Sequence, residues 1–141
     1  ELDEVRHVPG DLWPVHPGAV AAVPGLFARN ERAVLLGRTS NGGRFAIEAV
    51  GALNVGSIRL TRVPLCTNRG HGGGPRVVSR PSLAVTRGEE MVWFEFGSAL
   101  VMLLEDSAGR FDALPTGPPL RMGQAIGSLE TAAVSASPGQ S

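Results

Sequence analysis

The sequence predicts a mainly β domain, a curved antiparallel sheet or a barrel-like closure of one, with a single short helix. Apolar and polar residues alternate with a period of two in short runs such as Arg44–Val50 and Asn54–Arg62, the pattern of half-buried strands. Glycine-rich turn chemistry separates the runs, at Thr39–Gly43 and again at Thr86-Arg87-Gly88-Glu89. Only Gly18–Leu26 reads as helix, and Pro24-Gly25 cuts it to about two turns.

In chain order, Glu1–Val15 reads as an extended segment closing on the turn Pro9-Gly10-Asp11, with a second turn at His16-Pro17-Gly18. The short helix follows over Ala19, Val20, Ala22 and Val23. Ala33–Leu36 and Arg44–Val50 form a hairpin across the polar connection Thr39–Gly43. The stretch 54–62 continues as a strand with Val55, Ser57, Arg59 and Thr61 on one face. Pro64–Pro81, with Cys66, Asn68, His71 and Gly72-Gly73-Gly74, is too polar and glycine-rich to pack and reads as an exposed loop or flap. A short strand at Ser82–Val85 precedes two apolar runs, 88–96 and 99–104, that meet at Gly97-Ser98. A turn at Glu105–Gly109, a segment through Leu114, a Pro115–Pro119 corner and a last strand near Leu120 complete the domain. Residues 130–141 have the composition of a disordered tail. Trp13, Phe27, Trp93 and Phe94 are expected to fill the core rather than line a site.

Composition narrows the function. The length suits one domain, here 1–129, and 13 basic against 13 acidic residues leave no net charge to draw the chain to nucleic acid. Every basic residue is arginine, so no side-chain amine can serve as a carrier or a phosphate-loop lysine. The single Cys66 cannot form an internal disulfide and has no neighbours at metal-ligand spacing, so no metal site is expected. No apolar run reaches the roughly 18 residues of a membrane-spanning helix. The chain begins without Met, which suggests a truncated or cleaved product.

Gly97-Ser98 carries the chemistry. Such a pair is ordinarily a turn or bulge, and Gly56-Ser57 and Gly127-Ser128 show how often it recurs by chance. Yet a serine hydroxyl can attack the preceding glycine carbonyl, which no Cβ obstructs, and shift the acyl group from nitrogen to oxygen. β-Elimination of the ester leaves a dehydroalanine that hydrolyses to a pyruvoyl ketone, an electron sink for amine substrates.

The surroundings of the pair decide between these readings. The run Gly88-Glu89-Glu90-Met91 through Phe94, then Gly97-Ser98 and an aliphatic strand, resembles the self-cleavage region of phosphatidylserine decarboxylases. Five further blocks resemble that family in the same order: Arg6–Leu12, Val15–Ala19, Leu26–Arg32, Val50–Ile58 and Leu120–Leu129. The resemblance implies a pyruvoyl-dependent carboxy-lyase in which Ser98 becomes the pyruvoyl group and forms a Schiff base with phosphatidylserine, releasing phosphatidylethanolamine. It implies cleavage into a β piece, 1–97, and an α piece from 98, which stay associated, with no metal. It also implies a peripheral place on a membrane surface, the cytoplasmic face of a bacterial inner membrane, and a homodimer as a further partner.

The family's acid/base groups lie in an Asp-Tyr-His-x-x-His motif and an upstream aspartate, which nothing here matches. His16 stands where the family commonly has Asn, and His7 and His71 are expected to pack or be solvated. Phe96 replaces the usual Leu, Ala99 the usual Thr, and Val92 a common glycine. These departures favour an alternative, a non-catalytic lipid-binding or scaffold remnant of the same fold. A lipoyl-type carrier, suggested by the turn at 121–128, needs a tip lysine that the chain lacks.

Overall fold

The computed structural model describes residues 1–53, 57–68, 73–113 and 119–130. Expectations for His71, the Pro115 corner and the 131–141 tail lie outside the described residues, as does the 54–56 part of the fourth strand. The chain is mainly β, as expected, but its sheet is open rather than a closed barrel.

Strands β1 (Leu2–Val8), β2 (Arg32–Arg38), β3 (Arg44–Val50), β5 (Arg76–Ser79) and β7 (Ala99–Leu104) form one antiparallel sheet in the order β5-β1-β2-β3-β7. Two small pairs complete the structure: β4 (Ile58–Leu60) with β6 (Val92–Phe94), and β8 (Gly109–Phe111) with β9 (Gly127–Leu129). Two short helices, α1 (Pro17–Ala22) and α2 (Leu26–Arg29), replace the single expected one, because Pro24-Gly25 breaks the run and Gly25 turns it with φ 66°.

One face of the sheet makes the core. Cross-strand partners share a face, so Val5, Leu35, Ile47 and Met102 form one row and His7, Ala33, Ala49 and Leu100 the next. Val5, Leu35, Ala33 and Ala49 are wholly buried there, under Ile58, Leu60, Val63 and Leu65 from the β4 region. The rows lose their cover at β7, where Leu100 and Met102 remain about half exposed. The opposite face carries ion pairs such as Arg32 with Glu48.

Four expectations need correction. Pro64–Pro81 is not one exposed loop: Leu65 and Thr67 are buried, and Arg76–Ser79 pairs with β1 as an edge strand. Four residues are too few for alternation to outweigh the glycines beside them. The last strand lies at Gly127–Leu129 rather than near Leu120, and Ser82–Val85 makes only the single bridge Leu83 to Leu2. Trp13 and Trp93 are not core residues; each is about 40% exposed, with Arg29 and Arg59 respectively over its ring.

The β2–β3 hairpin is held from outside. Asn41 Nδ2 donates to the carbonyls of Ser107, Ala108 and Glu130, and a Cβ on Gly43 would sit 2.4 Å from Ala108 Cα. At the same end Glu105 accepts from the Arg44 backbone N–H at 2.9 Å and from its guanidinium at 3.2 Å. The backbone bond, then the guanidinium, hold its carboxyl below the ordinary glutamate value. A depressed carboxylate stabilises the fold above its unfolded value and loses that contribution as pH falls through the folded one. The stability difference between the natural protein and Glu105→Gln, measured by denaturant unfolding, is therefore expected to stay constant above about pH 5 and to shrink as pH falls below about 4.3.

Candidate functional site

The Gly97-Ser98 bond spans the gap between two sheets. On one side the Glu95 N–H donates to Ser57 O at 3.1 Å, fastening the end of β6 to the small sheet. On the other, Ser98 Oγ donates to Val50 O at 2.5 Å, just where β7 begins pairing with the end of β3 through Ala99 and Val50. Between these anchors Phe96 is 67% exposed and Gly97 is also exposed.

Nothing in the packing requires glycine at 97. Its φ is not positive, and a Cβ built there meets no atom within 4 Å. Gly10 and Gly51 differ: a Cβ would sit 2.2 Å from Arg29 O at Gly10 and 2.9 Å from Glu31 O at Gly51. A residue with a side chain would therefore fit at 97 as well as glycine does.

Asn30, which the sequence reading quoted only within a block, organises the ground beneath Ser98. It is fully buried; its Nδ2 donates to Trp13 O at 2.7 Å and Gly51 O at 2.8 Å, and its Oδ1 accepts from the Trp13 N–H at 2.9 Å. Gly51 N–H donates to Glu31 O at 2.7 Å, and Asp11 pairs with Asn30 through bonds to Arg29 O and from the Glu31 N–H. The amide thus ties the 11–13 segment, the start of β2 and the end of β3 at one corner. Val50, whose carbonyl holds Ser98, is the residue before Gly51.

The histidines do other things. His7 is 3% exposed and bonds through Nε2 to Glu31 at 2.8 Å; Glu31 also accepts from the Asn68 N–H. His16 is the N-cap of α1, with Nδ1 accepting from the Ala19 N–H at 3.3 Å rather than lying in a simple turn. Among the described residues no imidazole or carboxylate hydrogen-bonds to Ser98, and no cluster of three or more His, Cys, Asp or Glu could hold a metal. Val92 sits in β6 opposite Leu60 without positive φ, so its β-branched side chain is unstrained.

Comparison with known proteins places this architecture. The family model for phosphatidylserine decarboxylase matches residues 1–128. The chain belongs to the phosphatidylserine decarboxylase family. It is 41% identical to a phosphatidylserine decarboxylase proenzyme of Halorhodospira halophila, over 93% of this chain and 44% of that protein. It is 36% identical to the proenzyme of Brevibacillus brevis, over 89% of this chain and 45% of that one. A mitochondrial phosphatidylserine decarboxylase proenzyme of Pongo abelii is 36% identical, over 88% of this chain and 32% of the relative. The chain therefore spans less than half the length of these relatives. No helix among the described residues is long and apolar enough to cross a membrane.

Replacing Asn30 by aspartate keeps the shape and removes the donor. Its carboxylate would face two carbonyls, so its folded pKa would rise and the variant would lose stability as pH climbs above about 3.9, the unfolded value. Thermal unfolding of Asn30→Asp is expected to show a deficit against the natural protein that grows from pH 3 to pH 7, on the order of 1–3 kcal/mol for one unsatisfied group. A pH-independent deficit would show that the amide's donors are not what the corner uses.

Proposed function

We propose that this chain is the self-cleaving catalytic part of a phosphatidylserine decarboxylase, that Ser98 is the precursor of its pyruvoyl group, and that residues 1–129 form its domain. The observation that carries the reading is the Gly97-Ser98 bond itself, exposed, free of any packing demand for glycine, and held by Val50 at the start of β7. Membership of a family whose relatives are named proenzymes supports it.

Each residue has a defined part. Ser98 Oγ attacks the Gly97 carbonyl carbon; the C–N bond of that peptide breaks and an ester forms in its place, with the amine freed on Ser98. A base then removes the Ser98 Hα, the Cβ–O bond breaks, and Gly97 leaves as a carboxylate. The dehydroalanine left at position 98 tautomerises to an imine, and water releases ammonia to give the ketone. Val50 O orients the hydroxyl before attack, and the bare Gly97 α-carbon leaves the approach unblocked. The ketone, once formed, supplies the electron sink that decarboxylation of an amine-bearing substrate requires.

Cleavage leaves both products in place. The β piece keeps β4 paired with β6, and the α piece keeps β7 on β3 over the register from Phe45 with Leu104 to Val50 with Ala99. The enzyme then acts on phosphatidylserine at a membrane surface, in a bacterium the cytoplasmic face of the inner membrane, and two copies form its assembly. Phe96 and Ala99, with no base on Ser98 among the described residues, favour the second reading of a non-catalytic remnant.

Intact mass separates the two. The protein, produced with its natural flanking sequence, is expected to give two fragments divided at Gly97, while Ser98→Ala gives a single uncut mass. Gly97→Ala is expected to retain the stability of the natural protein, because its Cβ meets nothing, yet to be cleaved more slowly. A folded, uncut natural protein would establish the remnant.

A further inference from the structure

The two edge strands of the large sheet are β5 and β7, and an edge strand offers unpaired N–H and C=O groups to any chain that can lie beside it. The two edges differ. β5 has four residues and is bounded by Arg76 and Arg80, charges that a neighbouring strand would have to strip of water. β7 has six, Ala-Leu-Val-Met-Leu-Leu, and among the described strands of four or more residues it alone carries no charge.

The ladder shows which backbone groups are open. The Glu105 N–H donates to Arg44 O at 3.0 Å, so the backbone of Glu105 faces β3, and by alternation so do those of Leu103, Val101 and Ala99. Those of Leu100, Met102 and Leu104 face away, and among the described residues no strand pairs with them. The side chains are open on both faces: Leu100 and Met102, on the core face, are 51% and 42% exposed, and Leu103, on the opposite face, is 62% exposed. A partner resting on one face would cover either Leu103 or the other two. A strand laid along the edge covers all three.

We propose that two copies of the chain join at this edge, β7 against β7, about a two-fold axis at Met102. Antiparallel pairing about that axis sets Leu100 opposite Leu104 of the partner subunit and Met102 opposite Met102 of the partner subunit, so outward backbone groups meet outward backbone groups. On the other face Val101 meets Leu103 of the partner subunit. A strand that matches β7 must be apolar on both faces, and β7 is itself such a strand. The nearest acidic residue, Glu105, falls opposite Ala99 of the partner subunit rather than opposite another carboxylate, so the axis brings no like charges together. The proposal gives a surface to the two-copy assembly named above and rests on nothing else in that reading, since β7 has the same edge in an uncut chain. It also gives the second copy a task. A cut after Gly97 would leave β7 as the first strand of the α piece, held in the large sheet by β3 alone, and pairing would hold its other side.

The test is sedimentation equilibrium of the protein produced with its natural flanking sequence, alongside the uncut Ser98→Ala protein. Both are expected to be dimers. Met102→Lys and Met102→Asp each set like charges across the axis and are expected to weaken the dimer by about tenfold or more, while an equimolar mixture of the two restores it. Met102 is about half exposed, so either charge reaches water in the monomer and the fold is kept, which circular dichroism checks. Amide exchange gives a second readout: Leu100 and Leu104 are expected to exchange slowly in the dimer and fast in either variant alone, while Val101 and Leu103, bonded to β3, stay slow throughout. A monomer, a dimer that neither variant weakens, or a mixture that does not reassociate overturns the proposal. So does slow exchange at Leu100 and Leu104 in a monomer, since another part of the polypeptide would then be the occupant. A dimer without self-cleavage keeps the interface and removes the decarboxylase reading; self-cleavage in a monomer does the reverse.

Discussion

The Asn30 amide is the constraint on which the rest depends. It is fully buried and satisfies three backbone groups on two other segments, Trp13 and Gly51. Water cannot replace it there, so the end of β3 has one position relative to β2 and to the 11–13 segment. β7 takes its register from β3, and Ser98 hangs from Val50 O at the last rung. A polar residue at the centre of the fold thus determines where a surface bond lies.

That surface bond is a joint between two units, each with its own hydrogen bonding. The small β4–β6 pair closes the core, and the large sheet supplies the face it closes. Residues 95–98 cross from one to the other with a bond at each end and none required between. Breaking the joint would cost little packing, as the proposed self-cleavage requires. The uncovered core face beside β7, with Leu100 and Met102 about half exposed, puts an apolar surface within reach of the same joint.

Much of this was legible in the sequence where the signal was local and repeated. Arg44–Val50 is a strand with the expected bounds, the Thr39–Gly43 connection closes the hairpin, and the two apolar runs do meet at Gly97-Ser98. The sequence left an open curved sheet and a barrel-like closure as alternatives, because closure depends on whether β7 finds another partner, which no local pattern encodes. β5 was hidden among glycines, and its strand character comes from β1 beside it. Trp13 and Trp93 read as core by size, whereas an arginine over each ring keeps them at the surface. At the candidate site, Gly97 and Ser98 are proposed on the motif; the role of Asn30 required the tertiary structure, since its partners are 17 and 21 residues away.

The central claim is that position 98 carries a ketone formed from serine at a bond the fold holds ready. The most direct measurement treats the folded protein with phenylhydrazine, which condenses with ketones, and determines the mass of the fragment that begins at residue 98. The account predicts a hydrazone on that fragment and none on the Ser98→Ala protein. A fragment that begins with unmodified serine, or a protein that stays whole and unlabelled, would contradict it.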